Sequence, residues 1–473
     1  MQTREAAVLR KRFGLPSTIV GIAGFALYWP MLRQFELGSL LGGYAERESA
    51  GTLVLVAVLL SLLVLSAVAI GIRRIIEPLF ARRSPAAVAL GCAGSLGAIL
   101  LMGAPACGVL RGALVAVGAA CMALGYLALT LAWVSALLAT DRRLGLVVVA
   151  AGYALAAWMP LIELLGEPLA LGFTLLSPMG SVLAWCCYTG GSPRSEIDYS
   201  LKALASLPLL FVGMIALFLF VGRVSVGALI PIHAQIELPI RLADAAVALL
   251  FAGAFLVQAR PGAVIAWDTT MKSTWVFLAL LVIAGLLSSG ASWHIALGEG
   301  LVAAGFNCFE LFLWMLLMHL TRKQALSVTL VFCGVFSFCK VVPVFCGKLL
   351  APQIACWLGA RGDDLLTPLM LVLVFLLVAA TFVFLAFGGR MGGLATVLPE
   401  EASTLDERAR RYGLTPREVE AIGYVLNGYS YQKTADTMGV SLSTVQSHVK
   451  NLYRKLGVHT KDELVDWAAH GMV

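Results

Sequence analysis

Apolar positions come in blocks of about twenty, separated by short polar stretches, and this pattern stops near residue 390. A helix rising 1.5 Å per residue needs about 20 apolar residues to cross roughly 30 Å of hydrocarbon. Twelve blocks are candidates: 15–32, 51–72, 85–107, 112–139, 144–165, 169–189, 203–222, 243–259, 275–296, 299–320, 325–347 and 367–388. The first is short and carries Pro16 and Pro30, the eighth is short, and Gly108 to Arg111 alone separate the third from the fourth. A polar stretch after the sixth, Gly190 to Lys202, divides the pattern into two sets of six. The fold class predicted is all-α: a polytopic bundle of about twelve helices followed by a different, polar C-terminal region.

The loops orient the bundle, because Lys and Arg resist translocation. With the N-terminus inside, the inside segments hold 17 Lys/Arg and the outside segments seven. An even helix count then returns the polar tail to the same, cytoplasmic side of an inner membrane. The N-terminus has basic residues before an apolar run, as a signal peptide does. Tyr28, Trp29 and Pro30 end that run, and no small-x-small cleavage site follows. It therefore reads as the first membrane helix.

Composition sharpens the division. Sixty per cent of the 473 residues are apolar, 13% are charged and mean hydropathy is +0.90, which excludes an ordinary soluble domain. Of 61 charged residues, 19 lie in positions 400–473, nine basic and ten acidic. The tail is near neutral and lives in water. All ten cysteines lie at or before Cys356, with no Cys-x-x-Cys pair and no histidine at zinc spacing. They read as small buried hydrophobes, so no metal or cofactor is expected. No phosphate-binding glycine loop, catalytic triad or receiver-type aspartate cluster occurs, and enzymatic activity is not expected.

Charges inside the bilayer are costly and call for a reason. The tenth block carries Glu299, Asn307 and Glu310, and the eleventh carries Lys340 with Pro343 close behind. Eleven residues at 100° each bring Glu299 and Glu310 to one side of a helix, with Asn307 on much the same face. Glu310 and Lys340 can meet in a central cavity as part of a small-molecule site, with Asn307 beside them, or form a structural ion pair. Glu299 reads as an acid near a helix end. Tyr126 and Trp133, two turns apart, are candidate ligand-facing aromatics. The twelve blocks, the central polar stretch and the segment holding Gly71, Glu77, Arg82 and Arg83 resemble the major facilitator superfamily. That resemblance implies two pseudo-symmetric halves with a site between them.

The tail is densely punctuated. Thr415-Pro-Arg-Glu418 is a capping box opening a helix that should stop at Gly428. Ser430 can cap a second helix ending at Gly439, Ser441 a third closed by Gly457, and Thr460-Lys-Asp-Glu463 a fourth reaching Ala469. In the third, Val445, Val449, Leu452 and Leu456 make an apolar stripe. Ser443, Gln446, Ser447, Lys450 and Arg454 fall opposite, with no acid between Ser441 and Leu456. Such a face suits a major groove, where Lys and Arg meet phosphate or guanine and Gln can meet adenine. A tight Gly-Val-Ser turn before it has helix-turn-helix geometry.

The residues Leu414-Thr-Pro-Arg-Glu418, Asn427-Gly-Tyr-Ser430, Lys433-Thr-Ala435, Met438-Gly-Val-Ser441 and Thr444 through Gly457 closely resemble the LuxR-type helix-turn-helix family. The resemblance implies that the third helix reads DNA and that the fourth, Thr460–Ala469, dimerises. Base-facing positions then map to Gln446, Ser447 and Lys450, and Gln446 departs from a position commonly basic in the family. The DNA-contacting candidates are Ser443, Thr444, Gln446, Ser447, His448, Lys450, Asn451, Arg454, Lys455 and Lys433. The segments predicted are a membrane domain at 1–389, a linker at 390–412 and a reading head at 413–473. Together they describe a membrane-bound one-component transcription regulator. Its expected partners are double-stranded promoter DNA, the lipid bilayer, a small-molecule ligand, a second copy of the chain and RNA polymerase. The alternative is a secondary transporter with an attached regulatory head.

Overall fold

The computed structural model describes residues 17–37, 48–104, 109–140, 142–188, 197–206, 213, 216–221, 224, 238–258, 276, 279–280, 282–284, 294–350, 353–354, 356–357, 371–372, 374–382, 412–426, 429–459 and 463–464. The chain divides into two compact units. One comprises Met1–Ala263 with Lys272–Phe384, and the other Leu385–Val473 with Val264–Met271. The expected linker, 390–412, lies almost wholly outside the described residues.

The first unit is an all-helical bundle. Among the described residues its helices include α1 (Ser17–Leu37), α2 (Glu48–Gly71), α3 (Arg73–Ala81), α4 (Pro85–Gly103), α5 (Arg111–Leu138), α6 (Arg142–Trp158), α7 (Glu167–Cys187), α8 (Leu238–Gln258), α9 (His294–Lys323) and α10 (Ser337–Phe345). Among the described residues, four helical stretches are long and apolar enough to cross a membrane: Leu53–Gly71, Pro85–Gly103, Arg111–Leu138 and Pro168–Cys187. Their exposed positions are apolar too, as at Leu60, Val64, Ile99 and Leu183. An apolar outer surface of this kind belongs in lipid, where the backbone must satisfy itself.

Three predicted blocks depart from single straight helices. The fifth ends as an α-helix at Trp158 and continues as a 3-10 turn over Met159–Leu165, because Pro160 supplies no amide hydrogen. The second is followed by an extra short helix, α3, lying in the loop. The eleventh is α-helical only over Ser337–Phe345, flanked by π-helical stretches at Leu330–Phe336 and Cys346–Leu350. Pro343 sits inside α10 and interrupts its hydrogen bonding, and the Ser337 hydroxyl donates to the Phe332 carbonyl five residues back, at 3.0 Å. For the seventh, ninth and twelfth blocks only fragments lie within the described residues.

Glycine sets the tightest seam. A Cβ at Gly125 would lie 2.2 Å from the Gly94 amide nitrogen, and one at Gly97 would lie 2.5 Å from that of Met122. Helices α4 and α5 therefore touch backbone to backbone, as small residues permit in membranes. Ser84 starts α4 by accepting from the Ala87 amide at 3.2 Å, with Pro85 at the first helical position.

Polar contacts at the loop ends tie sequence-distant segments together. Glu77 of α3 is buried and accepts from the Ser327 hydroxyl at 2.6 Å and the Val328 amide at 3.0 Å. Those donors open the helical segment leading to α10, so the carboxylate caps a positive helix end. Arg322 does the reverse. Its Nη2 donates to the carbonyls of Leu137, Leu138 and Thr140, at 3.0, 3.1 and 2.7 Å, closing the C-terminus of α5. The central polar stretch is stitched in by a parallel bridge between Asp198 and Leu326 and by Arg73 Nε, which donates to the Tyr199 carbonyl at 2.7 Å. Arg83, with φ of 51°, donates to the carbonyls of Cys186 and Tyr188.

Gly125→Leu is expected to destabilise the bundle by about 1–3 kcal/mol or more, since no flexible side chain can yield. Gly112→Leu is the control, because nothing lies within 4 Å of its Cβ position. Thermal unfolding in detergent should show a lower midpoint for the first variant alone.

Candidate nucleic-acid interface and a buried ion pair

In the second unit, α11 (Pro416–Leu426), α12 (Tyr431–Met438) and α13 (Leu442–Leu456) pack around Ala421, Ile422, Val425, Ala435, Met438, Val445, Val449, Leu452 and Leu456. The caps explain the boundaries. The Thr415 amide donates to Glu418 at 2.8 Å, and the Glu418 amide donates back to the Thr415 hydroxyl at 3.3 Å. Ser430 accepts from the Lys433 amide and Ser441 from the Thr444 amide, each at 3.2 Å. Gly439 and Gly457 end α12 and α13 in the left-handed region, at φ of 66° and 70°. At the fourth helix Thr460 lies outside the described residues, and Glu463 accepts from the His459 amide at 2.8 Å.

Two stripes run along α13 with the same spacing. Val445, Val449, Leu452 and Leu456 are buried. Ser443, Ser447, Lys450 and Arg454 start two residues earlier, hence about 200° away, and are exposed. Gln446 and Asn451 are also exposed, while Thr444 and His448 are half-buried. Ser443 and Thr444 both hydrogen-bond to the Ser441 hydroxyl, at 2.8 and 2.7 Å. Asn451 accepts from Arg454 at 3.3 Å, and the Ser447 hydroxyl donates to the Ser443 carbonyl at 2.9 Å. These contacts fix a polar, positively charged ridge. Lys433 stands at the first turn of α12, its ammonium 4.2 Å from the Tyr429 ring centroid, and Tyr429 stacks on Tyr424.

Lys455 is placed differently from the exposed stripe. Its ammonium turns inward, donating to Glu418 at 2.7 Å and to the Gly413 carbonyl at 2.9 Å. Here it locks the end of α13 to the start of α11 instead of joining the outward ridge. Burial works against the Glu418 charge, but hydrogen bonds from Lys455 and Thr415 outweigh it and hold the carboxyl below the usual glutamate range. Thirty-seven residues separate the pair, so spacing could not reveal it.

In the bundle, Glu310 and Lys340 do meet. The Lys340 ammonium lies 2.5 Å from the Glu310 carboxylate, and both side chains are more than nine-tenths buried. The same ammonium stands 6.0 Å from the Tyr126 ring centroid. Tyr126 stacks on Tyr28 at 6.1 Å, and the Tyr28 and Thr130 hydroxyls are 2.8 Å apart. Trp133 is placed differently: it is fully buried, its indole donates to Ser181 at 2.9 Å, and Ser181 donates to the Gly24 carbonyl at 2.8 Å. It ties α1, α5 and α7 together as packing. The side chains of Asn307 and Glu299 lie outside the described residues. Among the described residues, no group of three or more His, Cys, Asp or Glu could hold a metal ion.

Known proteins divide along the same lines. The profile of the bacterial regulatory proteins of the luxR family matches residues 413–468. Over 61 residues the chain is 41% identical to the transcriptional regulatory protein MctR of Rhizobium johnstonii, covering 13% of this chain and 28% of that protein. Over 62 residues it is 39% identical to the HTH-type transcriptional regulator MalT of Yersinia pestis, covering 13% of this chain and 7% of that protein. The match thus spans well under a third of either relative. In fold, the chain is similar to the crystal structure of the E. coli fucose:proton symporter FucP, with a TM-score of 0.51 and 14% identity over 78% of this chain and 98% of that one. Residues 413–468 thus match the luxR family of bacterial regulatory proteins, and the helical bundle shares its fold with that symporter.

Four sets of substitutions test these assignments. Lys450→Ala should weaken DNA binding and reduce the slope of log affinity against log salt by roughly 0.9, the loss of one phosphate contact. Lys455→Ala should leave that slope unchanged and lower the melting temperature of the tail. The Glu418 contribution is fully present above the ordinary carboxylate range and fades as pH falls through the depressed folded value. Glu418→Gln should therefore lower stability near neutral pH and flatten its dependence on acid. In the bundle, neutralising Glu310 and Lys340 singly and then together should give strongly non-additive losses of thermal stability.

Proposed function

We propose that this chain, a LuxR-family reading head carried by a facilitator-like bundle, is a membrane-bound one-component transcription regulator. The observation that carries the reading is the exposed Ser443–Ser447–Lys450–Arg454 stripe, set opposite a fully buried apolar stripe on one short helix. A helix so divided docks by one face and offers the other to a groove. Lys450 and Arg454 meet phosphate or guanine, while Gln446 and Ser447 reach base edges. The bundle stands where many regulators carry a soluble sensor. A small molecule bound between its halves favours one arrangement of the helices and so biases the tethered heads, which bind promoter DNA as a pair. Such coupling requires that the ligand contact the two arrangements differently. The loop-end ties at Glu77, Arg322 and Asp198 are where one arrangement is held.

A second reading, a transporter with a regulatory head, draws on the bundle's similarity to a symporter and on the buried Glu310–Lys340 pair. Gradient-driven uptake by proteoliposomes would favour it.

The deciding measurement uses the full chain in nanodiscs, footprinted on promoters recovered with it from cells. Protection is expected for the native protein. It should disappear when Ser447 and Lys450 are both replaced by alanine, with membrane yield unchanged. A reporter fused after Val473 should be cytoplasmic. Footprints indifferent to the double substitution would move the DNA contact off this face, and an extracytoplasmic reporter would end the regulator reading.

A further inference from the structure

The buried aromatic cluster beside the ion pair has a chemical imbalance. Trp29 of α1 and Trp314 of α9 pack on the same ring, Phe25, with centroids 5.8 and 5.0 Å from it. Both indoles are at least 98% buried. The Trp29 Nε1 hydrogen finds no acceptor among the described residues. The Trp314 indole lies near the Tyr28 hydroxyl but makes no hydrogen bond of normal geometry. Buried polar groups are paired almost without exception, and an indole can only donate. Two unpaired donors, carried by rings from different helices that pack on one phenylalanine, call for an acceptor from outside the chain.

The surroundings narrow what brings that acceptor. Glu310 and Lys340 form an ion pair, so beside the cluster a carboxylate and an ammonium already offset one another. An ionised ligand would add an uncompensated charge to a low-dielectric interior, whereas a neutral one would not. The cluster is built of flat rings in contact: Phe25 and Trp29 meet edge to face at 90°, and Tyr28 and Tyr126 lie within 11° of parallel. A planar apolar body that parts such rings can stack on them in turn.

We propose that this cluster binds an uncharged planar molecule carrying a carbonyl-type hydrogen-bond acceptor, which Trp29 and Trp314 contact through their indole N–H groups. The inference rests on the reading of the bundle as a small-molecule sensor and names the class of ligand. The ion pair keeps the level electrically neutral and stands against the Tyr126 ring, so a ligand parting these rings shifts α9 relative to α1 and α5.

The test uses full-length protein in nanodiscs and three probes of one ring size: 2-acetylnaphthalene, 2-naphthoate and 2-ethylnaphthalene. The ketone is expected to bind at least tenfold tighter than either the anion or the hydrocarbon and to raise the unfolding temperature. Replacing both Trp29→Phe and Trp314→Phe keeps the rings and removes the donors. That variant should lose the preference for ketone over hydrocarbon and, when empty, melt no lower than the native protein. The proposal is overturned if naphthoate binds as tightly as the ketone, if no probe binds, or if the double variant keeps the preference. Promoter footprints on the same preparation separate the two levels. Intact protection with a failed ligand preference overturns the ligand class alone, while absent protection overturns the regulator reading itself.

Discussion

The structure depends on one constraint: inside hydrocarbon the backbone has no solvent to bond with, so every N–H and C=O must find a partner in the protein. Helices meet that demand along their length and fail it at their ends. The bundle answers at its loop ends with charged side chains placed by tertiary contact. Glu77 meets the amides opening the segment before α10, and Arg322 meets the carbonyls closing α5. Both reach across long stretches of sequence, so the devices that complete a helix also hold separate segments together. Where the helix widens before α10, over Leu330–Phe336, the Ser337 hydroxyl donates to the Phe332 carbonyl.

The tail solves the same problem with local chemistry. Ser430, Ser441 and Thr415 cap their own helices within three residues, and glycines at 439 and 457 close them. Water accepts what remains. A small domain capped in this way can leave one helix face free of structural duty, and that face is the Ser443–Ser447–Lys450–Arg454 ridge. The tail is close to neutral overall, and on α13 its exposed positive charge is concentrated on that ridge.

The buried polar groups of the bundle differ in kind from these caps. A carboxylate and an ammonium at 2.5 Å, more than nine-tenths buried, need each other, because either alone would be an uncompensated charge in apolar surroundings. Removing one partner alone costs more than the pair itself contributes, because the other is left charged and buried. Around this one, aromatic rings from α1, α5 and α9 press together, so a change in the pair is felt by several helices at once.

The sequence by itself determined whatever is periodic or local. Helices α2, α4, α5 and α7 follow from apolar runs long enough for a bilayer, the three tail helices from their caps and glycines, and the exposed ridge from two interleaved stripes. Spacing on α13 placed Lys450 and Arg454 outward and Val449 inward without help from the rest of the chain. Tertiary structure decided what joins distant residues. It turned Lys455 inward to Glu418, brought Glu310 to Lys340, committed Trp133 to Ser181 as packing and gave Glu77 a helix end to cap. Periodicity tells which side a residue occupies, whereas a long side chain spans several ångströms and can reach any partner the fold delivers. Only three-dimensional packing says which partner arrives.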